Sequence, residues 1–159
     1  MKIVVLDESV TVKDGLSFDG LRKFGDLTAY AHTKPEEVRS RIGDAAVVLI
    51  NKAPITREIM AECPNLKLIC VLATGYNVVD CVAAREYGIS VCNVPGYSTY
   101  AVSQFTIALL LELCHKIGHH DEAVRQGRWQ TCGSFCFWDT PLIELREKKL
   151  GIVGLGHTG

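Results

Sequence analysis

LKLICVLATGYNVVD, residues 66–80, contains the pattern that decides the fold. Apart from Lys67, its first half is a continuous apolar run, without the alternation of polar and apolar residues that marks a half-exposed strand. Such a run is typical of a strand buried on both faces of a parallel sheet. The run ends at Ala73-Thr74-Gly75, and a helical pattern begins soon afterwards. The stretch therefore predicts one strand-to-helix step of an α/β sheet.

Four more runs of this kind occur at similar intervals: KIVVL (2–6), LTAY (27–30), AAVVLI (45–50) and ISVC (89–92). Helical patterns lie between them. TKPEEVRSRIG (33–43) has Thr33 three residues before Glu36 and ends in glycine, and VVDCVAAREYG (78–88) also ends in glycine. These are helix start and stop signals. The alternation predicts a five-stranded, doubly wound parallel sheet of flavodoxin-like type over residues 1–97.

The pattern changes after NVPGYST, residues 93–99. A helix is predicted over 99–117, started by Ser98 or Thr99, and it is apolar on nearly every face between 105 and 114. Such a helix needs cover on both sides, which suits the junction of two domains. Residues 118–148 are interpreted as an irregular aromatic arm. KKLGIVGLG (148–156) predicts a strand that runs into a glycine turn, so residues 98–159 end in the start of an incomplete Rossmann nucleotide-binding domain.

The composition excludes some partners. Seventeen basic residues balance eighteen acidic ones, and the net charge of −1 indicates neither a nucleic-acid nor an anionic membrane partner. The most apolar stretch, FTIALLLELC (105–114), is far shorter than a membrane span. Most of the seven cysteines sit in apolar segments, which is typical of reduced thiols in a cytoplasmic protein. The close pair Cys132 and Cys136 favours ordinary loop thiols over a metal site, since no second pair accompanies it.

The spacing of Gly154, Gly156 and Gly159 matches the G-x-G-x-x-G fingerprint of dinucleotide sites. In that motif one glycine makes the turn, one admits the pyrophosphate, and one lets the helix pack closely. The amides of His157 and Thr158 are then expected at a helix N-terminus, where they favour an anion. The sequence predicts a cofactor site for NAD here, with NADP as an alternative because the strand that selects between them lies outside this sequence.

Two further segments follow predicted strands. Thr74 and Gly75 come after the fourth strand, where backbone amides either cradle a carboxylate or simply make a tight turn. Asn51 and Lys52 come after the third strand, where they either contact an anionic substrate or belong to a solvated loop. A phosphoacceptor receiver domain needs a carboxylate in that place, so Asn51 argues against this class. None of the five histidines is assigned as a catalytic acid or base.

Several stretches together resemble one family, the D-isomer-specific 2-hydroxyacid dehydrogenases. They are VLATGYNVVD (71–80), VCNVPGYSTYAVSQFTIALLLEL (91–113), GRWQ (127–130), FCFWDTPLIEL (135–145) and KKLGIVGLGHTG (148–159). The pattern is nearest to the glycerate dehydrogenase, or hydroxypyruvate reductase, branch. The resemblance runs from Met1 to Gly159 and covers the N-terminal half of the family's usual length. It implies a substrate-binding domain built from both chain ends, with a nucleotide-binding domain inserted between them.

The resemblance also implies the chemistry, which is reversible hydride transfer between NAD(H) and C2 of a 2-hydroxy or 2-oxo acid. It places Thr74 and Gly75 in the loop that holds the substrate carboxylate and approaches the nicotinamide, and Asn51 and Lys52 in the cleft. Many members have arginine at the position of His157. The segment after the long helix resembles an arm that wraps a neighbouring subunit, which implies a homodimer at full length.

In the family the catalytic histidine, its carboxylate partner and the substrate arginine follow the glycine loop, so none is assigned in this sequence. We therefore expect the isolated chain to be an inactive N-terminal portion of the enzyme. The alternative is a non-enzymatic NAD-sensing or interaction module on the same scaffold.

Overall fold

A computed structural model describes residues 1–13 and 15–159 of the chain. The described residues divide into two compact units, Met1–Tyr97 and Ser98–Gly159. Within the described residues, no helix combines the length and the apolarity that crossing a bilayer requires.

The first unit is built on a five-stranded parallel sheet of order β2-β1-β3-β4-β5, which confirms the predicted fold class. The strands are β1 (Lys2–Val5), β2 (Asp26–Ala29), β3 (Val47–Ile50), β4 (Leu68–Val71) and β5 (Ser90–Cys92). Each falls within one residue of a predicted apolar run or inside it. The order places β3 and β4 side by side, in register from Val47 with Leu68 to Ile50 with Val71.

Short helices connect the strands: α1 (Glu8–Thr11), α2 (Val38–Ile42), α3 (Arg57–Ala61) and α4 (Cys81–Glu86), with 3-10 turns at Asp19–Phe24 and Pro35–Glu37. The main core lies between α2, α3, α4 and one face of the sheet. The opposite face has a smaller core, in which Ile3, Val5 and Leu49 are buried, and Phe18 and Leu21, at and in the first 3-10 turn, pack against them. The two faces therefore differ in how completely they are covered.

Two helices begin at side-chain caps that stabilise their first turns. Thr56 Oγ1 accepts from the amide of Ile59 at 3.5 Å before α3, and Asp80 accepts from the amide of Ala83 at 2.8 Å before α4. The predicted pairing of Thr33 with Glu36 is wrong by one residue. The amide of Lys34 donates to the carboxylate of Glu37. The hydroxyl of Thr33 is buried and donates to the carbonyl of Leu6, so Thr33 does not cap the helix.

The second unit contains α5 (Thr99–His115), α6 (Ile117–Arg125) and α7 (Arg128–Thr131). The long predicted helix ends two residues early, because Lys116 adopts a left-handed conformation with φ of 50°. The chain then turns into α6, so part of the segment predicted to be irregular is helical. Of the α5 residues, Cys114 is buried, while Phe105 and Leu113 are about two-thirds exposed.

The predicted strand over 148–153 is absent, since these residues are irregular and exposed. A strand exists only through hydrogen bonds to a neighbouring strand. The second unit contains no strand among its described residues, so the apolar run Leu150–Val153 has nothing to pair with.

Candidate functional site

The loops after β3 and β4 lie next to each other, because the carboxyl ends of neighbouring parallel strands share one edge of the sheet. Asn51 follows β3, and its side-chain amide donates to the carbonyl of Leu72, just past β4, at 3.1 Å. Further along, an isolated parallel bridge joins Ile55 to Val79. Ligands of open parallel sheets bind beyond this edge. The structure thus brings the two predicted segments, 51–52 and 74–75, onto one surface of the first unit.

Asp7, two residues past the end of β1, organises the loop after β3. The residue is 2% exposed, and one carboxylate oxygen, Oδ2, accepts from the backbone amides of Asn51, Lys52 and Ala53, each at 2.9 Å. These three bonds fix the backbone as it leaves the strand. The sequence interpretation did not identify Asp7. Its position at the end of the strand beside β3 was the available signal, but only the strand order shows which amides it meets.

The loop that contains Thr74 and Gly75 is held by the segment that follows β5. Asn93 donates from its side chain to the carbonyl of Thr74 at 2.8 Å, and the Thr74 hydroxyl donates to the carbonyl of Val94 at 3.0 Å. The amide of Val94 donates to the carbonyl of Ala73 at 3.1 Å. These bonds use carbonyls and side chains of the β4 loop, and they leave its amides available.

The amides of residues 74–76 donate to no protein acceptor within the described part of the chain, and all three residues are exposed. The exposed ammonium of Lys52 likewise has no ion-pair partner there. Consecutive amides that the backbone turns toward one point can bind an anion, and a cation within reach would strengthen the binding. The edge of the sheet can therefore bind a carboxylate without displacing any internal hydrogen bond.

The glycine loop belongs to the second unit. Gly154 has φ of 103°, which disfavours any other residue, and a Cβ placed on Gly159 would overlap the carbonyl oxygen of Gly154. An open cavity of about 680 Å³ lies beside the loop and is also lined by Ser103, Thr106 and Ile107 of α5.

Backbone conformation thus favours glycine at position 154, and the nearby Gly154 carbonyl leaves no room for a side chain at position 159, but no helix follows Gly156 within the described residues. The amides of His157 and Thr158 are therefore not aligned at a helix N-terminus. The loop fits a dinucleotide only in part, because the aligned amides and helix dipole that would bind the phosphates are not formed.

An electrostatic cluster in the second unit involves His119, which the sequence left unassigned. Asp139 is hydrogen-bonded to His119 Nε2 at 2.5 Å and also forms an ion pair with Arg128. The Arg128 guanidinium, followed by His119, lowers the pKa of the Asp139 carboxyl to about 2. Arg128 also lies over the ring of Phe137, with its guanidinium carbon 4.8 Å from the ring centre. This cluster ties α6 and α7 to the aromatic segment that follows them.

The sequence is similar to one family of known proteins. The model of the D-isomer specific 2-hydroxyacid dehydrogenase catalytic domain matches residues 4–143. A hydroxypyruvate reductase of Blautia hydrogenotrophica is 51% identical over 162 residues, an alignment that covers all of this chain and 50% of the relative. A glycerate dehydrogenase of Methylorubrum extorquens is 37% identical and aligns with 79% of this chain and 40% of its own length. The chain thus spans about half the length of the curated relatives it matches.

Two solved structures agree with the fold. A putative D-isomer specific 2-hydroxyacid dehydrogenase, NAD-binding, from Polaromonas superposes with a TM-score of 0.76 at 28% identity, covering 99% of this chain and 49% of its own. An NADPH-dependent glyoxylate/hydroxypyruvate reductase from Sinorhizobium meliloti, in complex with NADP and malonate, gives a TM-score of 0.72 at 26% identity, with coverage of 99% and 47%.

The parallel sheet, the loops at its carboxyl edge and the match over most of the sequence agree with one another. On these grounds the chain belongs to the family of D-isomer specific 2-hydroxyacid dehydrogenases.

Proposed function

We propose that this chain supplies the substrate-binding part of an NAD-dependent 2-hydroxyacid dehydrogenase, with a small 2-oxo acid of the hydroxypyruvate type as substrate. The observation that carries the proposal is the row of exposed amides at residues 74–76, which donate to no protein acceptor among the described residues, at the sheet edge where the loop of Asn51 and Lys52 also lies. The 51% identity to a hydroxypyruvate reductase supports the choice of substrate.

In this proposal the substrate carboxylate accepts hydrogen bonds from the amides of Thr74 and Gly75, and Lys52 attracts it by charge. Asn51 acts by position, because its side-chain amide is already bonded to the carbonyl of Leu72. Asp7 keeps the loop of Lys52 in place through its three backbone hydrogen bonds. The nicotinamide, when bound, exchanges a hydride with C2 of the acid. We assign the proton transfer to no histidine of this chain.

The cofactor is proposed to be NAD, with Gly154, Gly156, His157, Thr158 and Gly159 forming the first part of its pyrophosphate site. Thr74 is proposed to approach the nicotinamide end. NADP is the alternative, since one structural relative is described as NAD-binding and another as NADPH-dependent. The expected result is a rise in the melting temperature of the chain when NADH or NADPH is added. No rise with either nucleotide would contradict the proposed pyrophosphate site.

We also propose that the enzyme works as a homodimer in the cytoplasm. The exposed aromatic side chains of Phe135 and Trp138, in the segment after α7, support self-association, and the burial of the Cys63 and Cys114 thiols as small apolar groups is typical of a reducing compartment.

The substrate proposal is tested by titrating the isotope-labelled 159-residue chain with hydroxypyruvate and recording amide chemical shifts. We expect saturable shifts at residues 74–76, and weaker binding in Lys52→Ala. Lys67→Ala is the matched control, because Lys67 is also exposed but precedes β4, at the opposite end of that strand. Shifts that avoid residues 74–76, or equal weakening by both substitutions, would contradict the proposal.

Turnover is tested separately with NADH and hydroxypyruvate. We expect the 159-residue chain to oxidise NADH no faster than the background, because the proposed function places the proton-transferring groups outside it. Saturable NADH oxidation by the purified chain would overturn this part of the proposal.

A further inference from the structure

Two cysteines lie opposite each other on neighbouring strands of the sheet. Cys70 of β4 and Cys92 of β5 are register partners in a parallel pair. Side chains of in-register residues point to the same face, and adjacent strands are about 4.8 Å apart. The face is the less covered one, where Cys70 packs at the margin of the small core around Ile3, Val5 and Leu49.

The two thiols differ in their access to solvent. Cys92 is exposed, whereas Cys70 is partly buried. Burial, and in second place the neighbouring Cys92, raises the pKa of the Cys70 thiol. Both cysteines are free thiols in the structure. A reagent in solution therefore reaches Cys92 before Cys70. Among the described residues, Cys70 is the only cysteine that is a register partner of Cys92.

We propose that Cys70 and Cys92 form a reversible disulfide that joins β4 to β5. The register of the two strands places the two thiols opposite each other and so creates this modification site. Disulfides join residues whose Cα atoms are roughly 4.4–6.8 Å apart, and the spacing of adjacent strands falls in this range. Their Cβ atoms are usually about 3.5–4.5 Å apart, so β5 must move slightly towards β4. The strand is three residues long and lies at the edge of the sheet, where it pairs with β4 alone.

The oxidant is a small disulfide such as oxidised glutathione. The thiolate of Cys92 attacks one of its sulfur atoms, which forms a mixed disulfide and releases one glutathione thiolate. The thiolate of Cys70 then attacks the Cys92 sulfur and releases the second. In sum, two protein thiols and one glutathione disulfide become one protein disulfide and two glutathione thiols. A dithiol reductant reverses the exchange.

The position of this pair connects it to the substrate loop. Cys92 directly precedes Asn93, which donates to the carbonyl of Thr74, and Cys70 lies four residues before Thr74. A disulfide would therefore draw the strands together immediately before the bonds that hold this loop. An effect on carboxylate binding rests on the proposed function, whereas formation of the disulfide does not.

The experiment treats the reduced 159-residue chain with oxidised glutathione under native conditions, blocks the remaining thiols by alkylation, and maps tryptic peptides by mass spectrometry. Trypsin cleaves after Arg85, so Cys70 and Cys92 leave in different peptides. Cys81 shares the first peptide and Cys114 the second, so fragment spectra and the control Cys81→Ser assign the link.

We expect a Cys70–Cys92 link that dithiothreitol removes, that persists in Cys81→Ser, and that is lost in Cys92→Ser. Because Cys92 is exposed, its replacement leaves the core intact. A lasting glutathione adduct on Cys92 without the link, or a link confined to Cys132 and Cys136, would overturn the proposal. The mapping detects thiols and not substrate, so its failure is distinguishable from a failure of the proposed function.

Discussion

The carboxylate of Asp7 accepts a hydrogen bond from the amide of Lys52 at 2.9 Å, although the two residues are far apart in sequence and follow different strands, β1 and β3. The amides of Asn51 and Ala53 reach the same oxygen. A single buried carboxylate thus fixes the backbone at the proposed substrate edge.

Replacing Asp7 by alanine is therefore expected to be costly. The substitution leaves three backbone donors without their acceptor, and an unsatisfied buried donor costs about 1–3 kcal/mol. We expect the free energy of unfolding to fall by at least about 2 kcal/mol, measured by urea denaturation. Asp26→Ala is the control, because Asp26 is exposed on β2, and its effect is expected to be small. Equal losses in both variants would contradict the role given to Asp7.

Asn93, which directly follows Cys92, holds the Thr74 loop by a hydrogen bond. Asn93→Ala removes the bond to the Thr74 carbonyl, and we expect a loss of about 0.5–1 kcal/mol in stability. Hydroxypyruvate binding is expected to weaken as well, since the loop is less well held. Ser90→Ala is the control, because Ser90 is exposed at the start of β5, the strand that Asn93 follows. If Asn93→Ala binds hydroxypyruvate as the unmodified chain does, the loop is held in another way.

Acid is expected to release the cluster around Asp139. Its pKa is lowered from 3.8 to about 2, first by Arg128 and then by His119. A lowered pKa stabilises the fold above pH 3.8, and this contribution is lost as the pH falls towards 2. The chain has two tryptophans, and each is next in sequence to a residue of the cluster: Trp129 follows Arg128, and Trp138 precedes Asp139. Their fluorescence is therefore expected to report the transition.

The variant Asp139→Asn is expected to lose this fluorescence change between pH 4 and 2, roughly the range set by the two pKa values. Asp121→Asn is the control, because the Asp121 carboxylate pairs with Arg125 on α6 and does not contact Asp139. A transition that is identical in Asp139→Asn and the unmodified chain would assign it to another group.

The exposed face of α5 is expected to make the chain self-associate. Phe105 is 64% exposed, and burial of a phenylalanine is worth about 1.5–3 kcal/mol. Phe105→Ser is therefore expected to weaken association at least about tenfold in sedimentation experiments. Val82→Ser is the control, since Val82 is 67% exposed on α4 of the first unit. An unchanged sedimentation profile in Phe105→Ser would remove α5 from the interface.

Local patterns were enough to predict the central strands β1, β3 and β4, because a strand largely buried on both faces must be almost wholly apolar. The edge strands β2 and β5 are mostly exposed, and their runs include polar residues. Residues Leu150–Val153 also form an apolar run, yet they are irregular. An apolar run becomes a strand only when another strand is beside it, and the described residues offer none.

The sequence by itself determined the α/β class, the places where strands pass into loops, and the segments 51–52 and 74–75 as candidates. Only the tertiary structure decided that Asp7 binds the amides after β3, that Asn93 holds Thr74, and that Cys70 stands opposite Cys92. These relationships join residues distant in the chain, and they exist because strand order and register make them neighbours. Periodicity indicates which face a side chain occupies, whereas the pairing of strands determines what it meets there.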